Sequence, residues 1–320
     1  MERIRRRLVG NNIWLSDAQS DAREQLARLL AHELNYEVIE SEEAAGREML
    51  SEIETAAQSK QGDLTIILLG GRGAQAMHRL IGEQAKTNEL DHLLSRLHVF
   101  TQDALAPMRM ENSFSFVRDF ERLLGPDFFR KVKSFTSMRT DTDDLEAELT
   151  RYLEQLESRG EIDIFFLGLG PEANAASHLA YIKPASGAAA TDLAGVIPIS
   201  PDILNHHIAK FKAGGARYAR FQRADDSRGT DFSETDESEC RRASHILTLG
   251  PATILRANRI VQSIVDADTA PAKRASFRRL IETEISNDPE TRQHQLDENP
   301  GLWIRLNSNV RSLILPNVLT

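Results

Sequence analysis

The 320-residue sequence holds one cysteine, Cys240, so it can form no internal disulfide and no cysteine-built metal site, which fits a reducing cytoplasm. Long apolar runs are also missing. The longest, such as residues 66–69 and 162–167, the latter interrupted by Asp163, fall far short of the roughly 20 residues needed to cross a bilayer, which argues against a membrane as a partner. Basic residues are in deficit, 39 against 48 acidic ones, and the net charge of -9 repels phosphodiester backbones and anionic surfaces. Nucleic acid is thereby set aside as the main partner. The start, MERIRRRLVG, is basic but lacks the apolar core of about 7–15 residues that a secretory signal requires, so it reads as mature sequence. What is present, 41% hydrophobic and 27% charged residues, belongs to an ordinary soluble globular protein with material for a large core.

Apolar periodicity alternates along the chain between that of helices and that of strands. Ala22, Leu26, Leu29, Leu30 and Leu34 follow Ser20 and Asp21 at helical spacing, which predicts an early helix over 18–35, and a second helical stretch covers 41–59. DLTIILLGG then reads as a buried strand entering a glycine turn. Further strands are expected at 96–103, 131–137, 163–170, 195–200, 245–250 and 310–316. The clearest helix, 142–158, lines up Leu145, Leu149, Tyr152, Leu153 and Leu156 behind an Asp-Thr-Asp-Asp cap region. The expected fold is a three-layer, Rossmann-like α/β domain over 1–320, with a mostly parallel sheet covered by helices on both faces. Two polar stretches interrupt the alternation: 212–243, read as a mobile or lid-like insertion, and 286–301, read as a long surface connection.

Three strand ends carry chemistry. Gly70, Gly71, Arg72 and Gly73 separate a strand from a helix starting near Ala74, where free amides and the helix dipole can hold an anion; a tight turn without a ligand fits the same residues. The stretch lacks a third fingerprint glycine and a Gly-Lys-Ser/Thr ending, so neither a dinucleotide nor a nucleoside triphosphate loop is supported. Asp103 lies at the carboxyl end of a strand, the edge where ligands gather, and serves either as a general base or as a cap. Glu172 and Asn174 in GLGPEANAAS occupy a third such end.

Taken in order, these pieces resemble the glucosamine-6-phosphate deaminase and 6-phosphogluconolactonase superfamily. The likeness runs from about Asp63 to Val310 and rests on IDIFFLGLGPEANAAS, on HVFTQDAL with NSFSF, and on ILTLGPATILRANRIV. It implies a sugar-phosphate isomerase type of fold, a small phosphorylated sugar as ligand and no metal or organic cofactor; a homo-oligomer is compatible with it. It also implies that the amides of Gly70, Gly71, Arg72 and Gly73 hold the phosphate with Lys273, in APAKRAS, and Lys210, where deaminases carry an arginine. Lysine brings charge without the bidentate fork of arginine. Both lysines also suit a solvated surface. Asp103 matches the aspartate that moves a proton between C1 and C2 of the open-chain substrate.

The pattern breaks at the catalytic histidine of the superfamily, where this chain has Asn174, which cannot shuttle a proton near neutral pH. Glu172 stands for an aspartate, Ala173 for a glycine, and Ala104 for the acid that follows the aspartate of the other block. His178, on one helix face with Asn174 if that segment is helical, or His206 or His207 could supply the missing base, or all three could be structural. Cys240 has no visible partner for nucleophilic chemistry. The resemblance leads to a deaminase/isomerase acting on a hexosamine 6-phosphate. A lactonase-like hydrolase and a non-catalytic sugar-phosphate binder are the alternatives.

Overall fold

A computed structural model describes residues 3–171, 177–218, 232–268 and 270–320. The strands in chain order are β1 (Ile4–Val9), β2 (Asn12–Asp17), β3 (Tyr36–Val38), β4 (Leu64–Leu68), β5 (Leu97–Thr101), β6 (Asp103–Ala106), β7 (Ser134–Thr136), β8 (Ile164–Leu167), β9 (Gly170–Pro171), β10 (Ser177–His178), β11 (Asp192–Pro198), β12 (His245–Leu249), β13 (Arg259–Ile264) and β14 (Val310–Ile314). Seven of them form an all-parallel sheet in the order β3-β14-β13-β8-β4-β5-β7. Strands β4, β5 and β8 are buried at every position, as a sheet covered on both faces requires. The α/β expectation therefore holds.

Its refinement is a second sheet. The strands expected at 195–200 and 245–250 form as Asp192–Pro198 and His245–Leu249, but these, β11 and β12, run antiparallel in a five-stranded sheet ordered β1-β2-β11-β12-β6. Period-2 patterning identifies a strand without naming its partner, so the two sheets look alike in sequence.

Where helices were expected, agreement follows the caps. Ser41 and Asp144 accept from the amides of Ala44 and Ala147 and open helices Glu42–Ser59 and Leu145–Glu157. The early helix is shorter than expected, Ala22–Arg28, and stops where Arg292 donates to the carbonyls of Leu26 and Leu29. The polar 286–301 stretch is not a surface connection. Asp288 caps a helix, Pro289–Glu298, whose buried side chains are Arg292 and Leu296, so no apolar stripe announces it. Within 212–243, helix Pro201–Tyr218 enters from one side and helix Glu234–Cys240 follows; residues 219–231 lie outside the described ones. Cys240 is fully buried, and burial pushes its thiol up to about 12, against nucleophilic use. Among the described residues no helix is long and apolar enough to cross a membrane.

Candidate functional site

From β4 the chain builds the parallel sheet in one direction through β5 and β7, then returns to place β8 on the other side of β4. Loops leaving strands at such a reversal diverge and leave a crevice at their carboxyl ends. A cavity of about 340 Å³ fills it, a volume suited to a small ligand. The loops after β4, β5, β8 and β13 line it, and so does one face of helix Pro201–Tyr218.

The turn after β4, with the first residues of the helix that follows, holds Gly70, Gly71, Arg72 and Gly73 on the cavity wall. Gly71 precedes helix Arg72–Ala85 with φ +80° and ψ -171°, a conformation that only glycine adopts freely, and no side chain caps that helix. First-turn amides there suit an anion. The Arg72 guanidinium is engaged elsewhere, by Glu42 through a hydrogen-bonded ion pair and by Asp268 at 3.6 Å, so at this wall Arg72 offers its backbone.

Lys210 and Lys273 arrive from distant segments. Lys210 shares a face of its helix with His206, four residues earlier, and Lys273 lies in the first turn of helix Ala272–Glu282. Lys273 is 6% exposed and so is not a solvated surface residue. Their Nζ atoms each donate at 2.5 Å to one oxygen of Asp266, which is 1% exposed. Burial opposes the charge on Asp266, yet Lys273 and Lys210 outweigh it and hold the carboxyl far below its usual range. Burial likewise brings Lys273 down to about 8 against the pull of Asp266.

Asp103 is reached by the residue that links the two sheets. The amide of Gln102 donates to the Leu68 carbonyl and its own carbonyl accepts from Leu249, each at 3.1 Å. That pinning ends β5 one residue earlier and starts β6 at Asp103, opposite Thr248. Asp103 is 3% exposed, and burial pushes its carboxyl up to about 7 despite a 2.6 Å hydrogen bond from Gln102 Nε2.

His178 is not on a helix shared with Asn174. It belongs to β10, which pairs with β9 and sets His178 opposite Gly170; glycine–proline and the short ribbon displace the helical period that the spacing suggested. The imidazole stacks on Tyr181 with ring centroids 4.2 Å apart and lines the cavity. Glu172 and Asn174 lie outside the described residues. His207 donates through Nε2 to the Phe114 carbonyl at 2.8 Å, and burial lowers it to about 4, which suits a structural role. His206 is lowered to about 3, by burial first and then by Lys210 and Lys273.

Sequence reasoning missed Gln102, Ser263 and Asp266 on this wall. The Nε2 of His206, Oε1 of Gln102 and Oγ of Ser263 are buried without a hydrogen-bond partner among the described residues, and all three residues line the cavity. Asp266 follows β13 by two residues, and the polar Gln262 and Ser263 inside that strand left it without a clear signal in the sequence.

Comparison with known proteins agrees with this fold. Among solved structures the chain is similar to a monomeric glucosamine-6-phosphate deaminase at 20% identity, over 89% of this chain and 98% of that one, with a TM-score of 0.60. It is similar to a 6-phosphogluconolactonase from Shewanella baltica at 12% identity, over 88% and 97% of the two chains, with a TM-score of 0.58. A third likeness is to the 6-phosphogluconolactonase from Thermotoga maritima, at 12% identity over 88% and 99%, with a TM-score of 0.54. At these identities the likeness concerns the fold. No curated protein matches the sequence. The family model for glucosamine-6-phosphate isomerases/6-phosphogluconolactonase matches residues 39–202, half of the chain, and the protein belongs to that family.

Proposed function

We propose that the protein binds a hexosamine 6-phosphate in this cavity and converts it to a ketose phosphate with release of ammonia. One observation carries the reading: a buried carboxyl, an uncapped glycine turn and a lysine pair from separate parts of the chain line the same cavity. The amides of Gly70, Gly71, Arg72 and Gly73, with Lys210 and Lys273, receive the phosphate. Once the ring is open, Asp103 takes the proton from C2 and returns it to C1. This leaves an imine at C2, which water hydrolyses to the ketone and ammonia. A carboxyl brought up to about 7 is matched to that task, because it is substantially ionised at neutral pH and still basic enough to compete for a carbon-bound proton. His178, fixed by Tyr181, is the imidazole we assign to ring opening in place of the histidine that Asn174 replaces. In the same reading Glu172 orients the sugar and Asn174 contributes hydrogen bonds only.

The test is a substrate panel. Purified protein is mixed with glucosamine 6-phosphate, galactosamine 6-phosphate and 6-phosphogluconolactone, and ammonia, ketose phosphate and acid are followed. Ammonia formed with an equivalent of ketose phosphate supports the proposal. Acid from the lactone alone assigns the cavity to ester hydrolysis. Thermal stabilisation by sugar phosphates without turnover assigns it to binding.

A further inference from the structure

Asp266 has no part in the reading above, yet it sits at the centre of the phosphate subsite that reading uses, and the inference drawn from it rests on that subsite. It follows the end of β13 by two residues and accepts from Lys210 Nζ on one oxygen and Lys273 Nζ on the other. Two ammonium groups brought side by side repel each other. A carboxylate between them fixes both at one point, and each keeps two of its three donors for a ligand.

The charges facing this pair come from several elements. Arg72, at the start of helix Arg72–Ala85, is paired with Glu42 and Asp268. His206, on the helix of Lys210, is held neutral by burial and by the lysines, and His207 beside it is held neutral by burial. His178 lines the same cavity from β10. Asp266 is thus the carboxylate in direct contact with both lysines.

We propose that Asp266 is a positioning residue for the phosphate subsite: it holds Lys210 and Lys273 converged and charged, so that a phosphate ester meets a preformed pair of ammonium groups. The titration of Lys273 follows from the same contact. Burial, Lys210 and Arg72 all lower it, and Asp266 is the influence that opposes them. A lysine is charged below its pKa, so phosphate binding is retained on the acid side and lost as pH rises through about 8. Without Asp266 the loss moves to lower pH.

The experiment compares the full chain with Asp266→Asn and Asp266→Glu, each shown to be folded by circular dichroism. Inorganic phosphate binding is measured by calorimetry from pH 6 to 9, and Lys273 is titrated by ¹³Cε-lysine NMR. For Asp266→Asn we expect phosphate binding at least about tenfold weaker at pH 7.5, a gap that narrows towards pH 6, and a Lys273 midpoint lower by about one pH unit or more. Asp266→Glu keeps the charge but displaces it by one methylene, so Lys273 should titrate close to the native protein while phosphate binds about threefold to tenfold more weakly. Native-like phosphate affinity in either variant overturns the inference, as does an unmoved Lys273 midpoint in Asp266→Asn. A native protein that binds no phosphate at any pH, with Lys273 still responsive to Asp266→Asn, overturns instead the phosphate subsite under the proposed function.

Discussion

Asp103, the carboxyl that the proposed reaction uses, is buried at a cost to stability. Its folded pKa of about 7 exceeds the ordinary 3.8, so the folded state favours the protonated form. The sign follows: this contribution is fully present below about pH 4 and is lost as pH rises through 7, up to ~4 kcal/mol for a fully buried group. Asp103→Asn removes the titration. Its melting temperature should exceed that of the native protein by several degrees at pH 8 and match it within a degree or two at pH 4, measured by calorimetric scans at both pH values. Equal shifts at the two pH values would show that the carboxyl is not buried as described. The position of Asp103 was legible in the sequence because it lies just past the carboxyl end of an apolar strand, β5. Its burial was not, since that comes from Gln102 being hydrogen-bonded to both Leu68 and Leu249. Asp266 was hidden for a related reason: Gln262 and Ser263 break the apolar run of β13, yet both are buried, and Ser312 donates to the Gln262 amide oxygen.

At the level of elements, the short ribbon of β9 and β10 brings Gly170 and His178 to the cavity wall. Ala180 and Tyr181 follow it with φ of +47° and +57°, a left-handed pair that costs of order 1–3 kcal/mol per residue and turns Tyr181 back onto His178. Gly170 makes room for that ring. A Cβ there would lie 1.7 Å from His178 Nε2, closer than any packing allows. Gly170→Ala should therefore expel the imidazole from the cavity while the strands beneath it persist. The expected outcome is a folded protein whose kcat falls about tenfold or more and whose phosphate affinity stays within about threefold, read from steady-state kinetics and calorimetric titration. A native kcat would remove His178 from the chemistry. Elements with a cap and an apolar stripe, such as Glu42–Ser59 and Leu145–Glu157, were legible from sequence. The hairpin of β1 and β2 was not, because Arg5, Arg6 and Arg7 mask its alternation, and Arg7 becomes structural through its ion pair with the buried Asp192 and its hydrogen bond to the Gly187 carbonyl.

For the whole molecule, the arrangement of two sheets decides where the site lies. The parallel sheet supplies the crevice at the reversal beside β4, and the chain crosses from that sheet to the antiparallel one at Gln102, which sets Asp103 on the crevice wall. A net charge of -9 repels anions at long range, so in the proposed function anion recognition falls to the local cluster of Lys210, Lys273 and amide donors, whose interactions are strengthened by exclusion from water. Sequence periodicity located most of the strands that build this crevice but not which strands pair, since pairing is settled by contacts far apart in the chain. The central claim is that Asp103 exchanges a proton with the carbon next to the carbonyl of a phosphorylated sugar held in this cavity. It is tested most directly by incubating the protein with a hexosamine 6-phosphate in D₂O and following deuterium at C2 of the substrate and C1 of the product by NMR. The account requires exchange in the native protein and a rate lower by about 10²–10⁴ in Asp103→Asn; exchange at the native rate in that variant, or none in a native protein that binds the sugar phosphate, contradicts it.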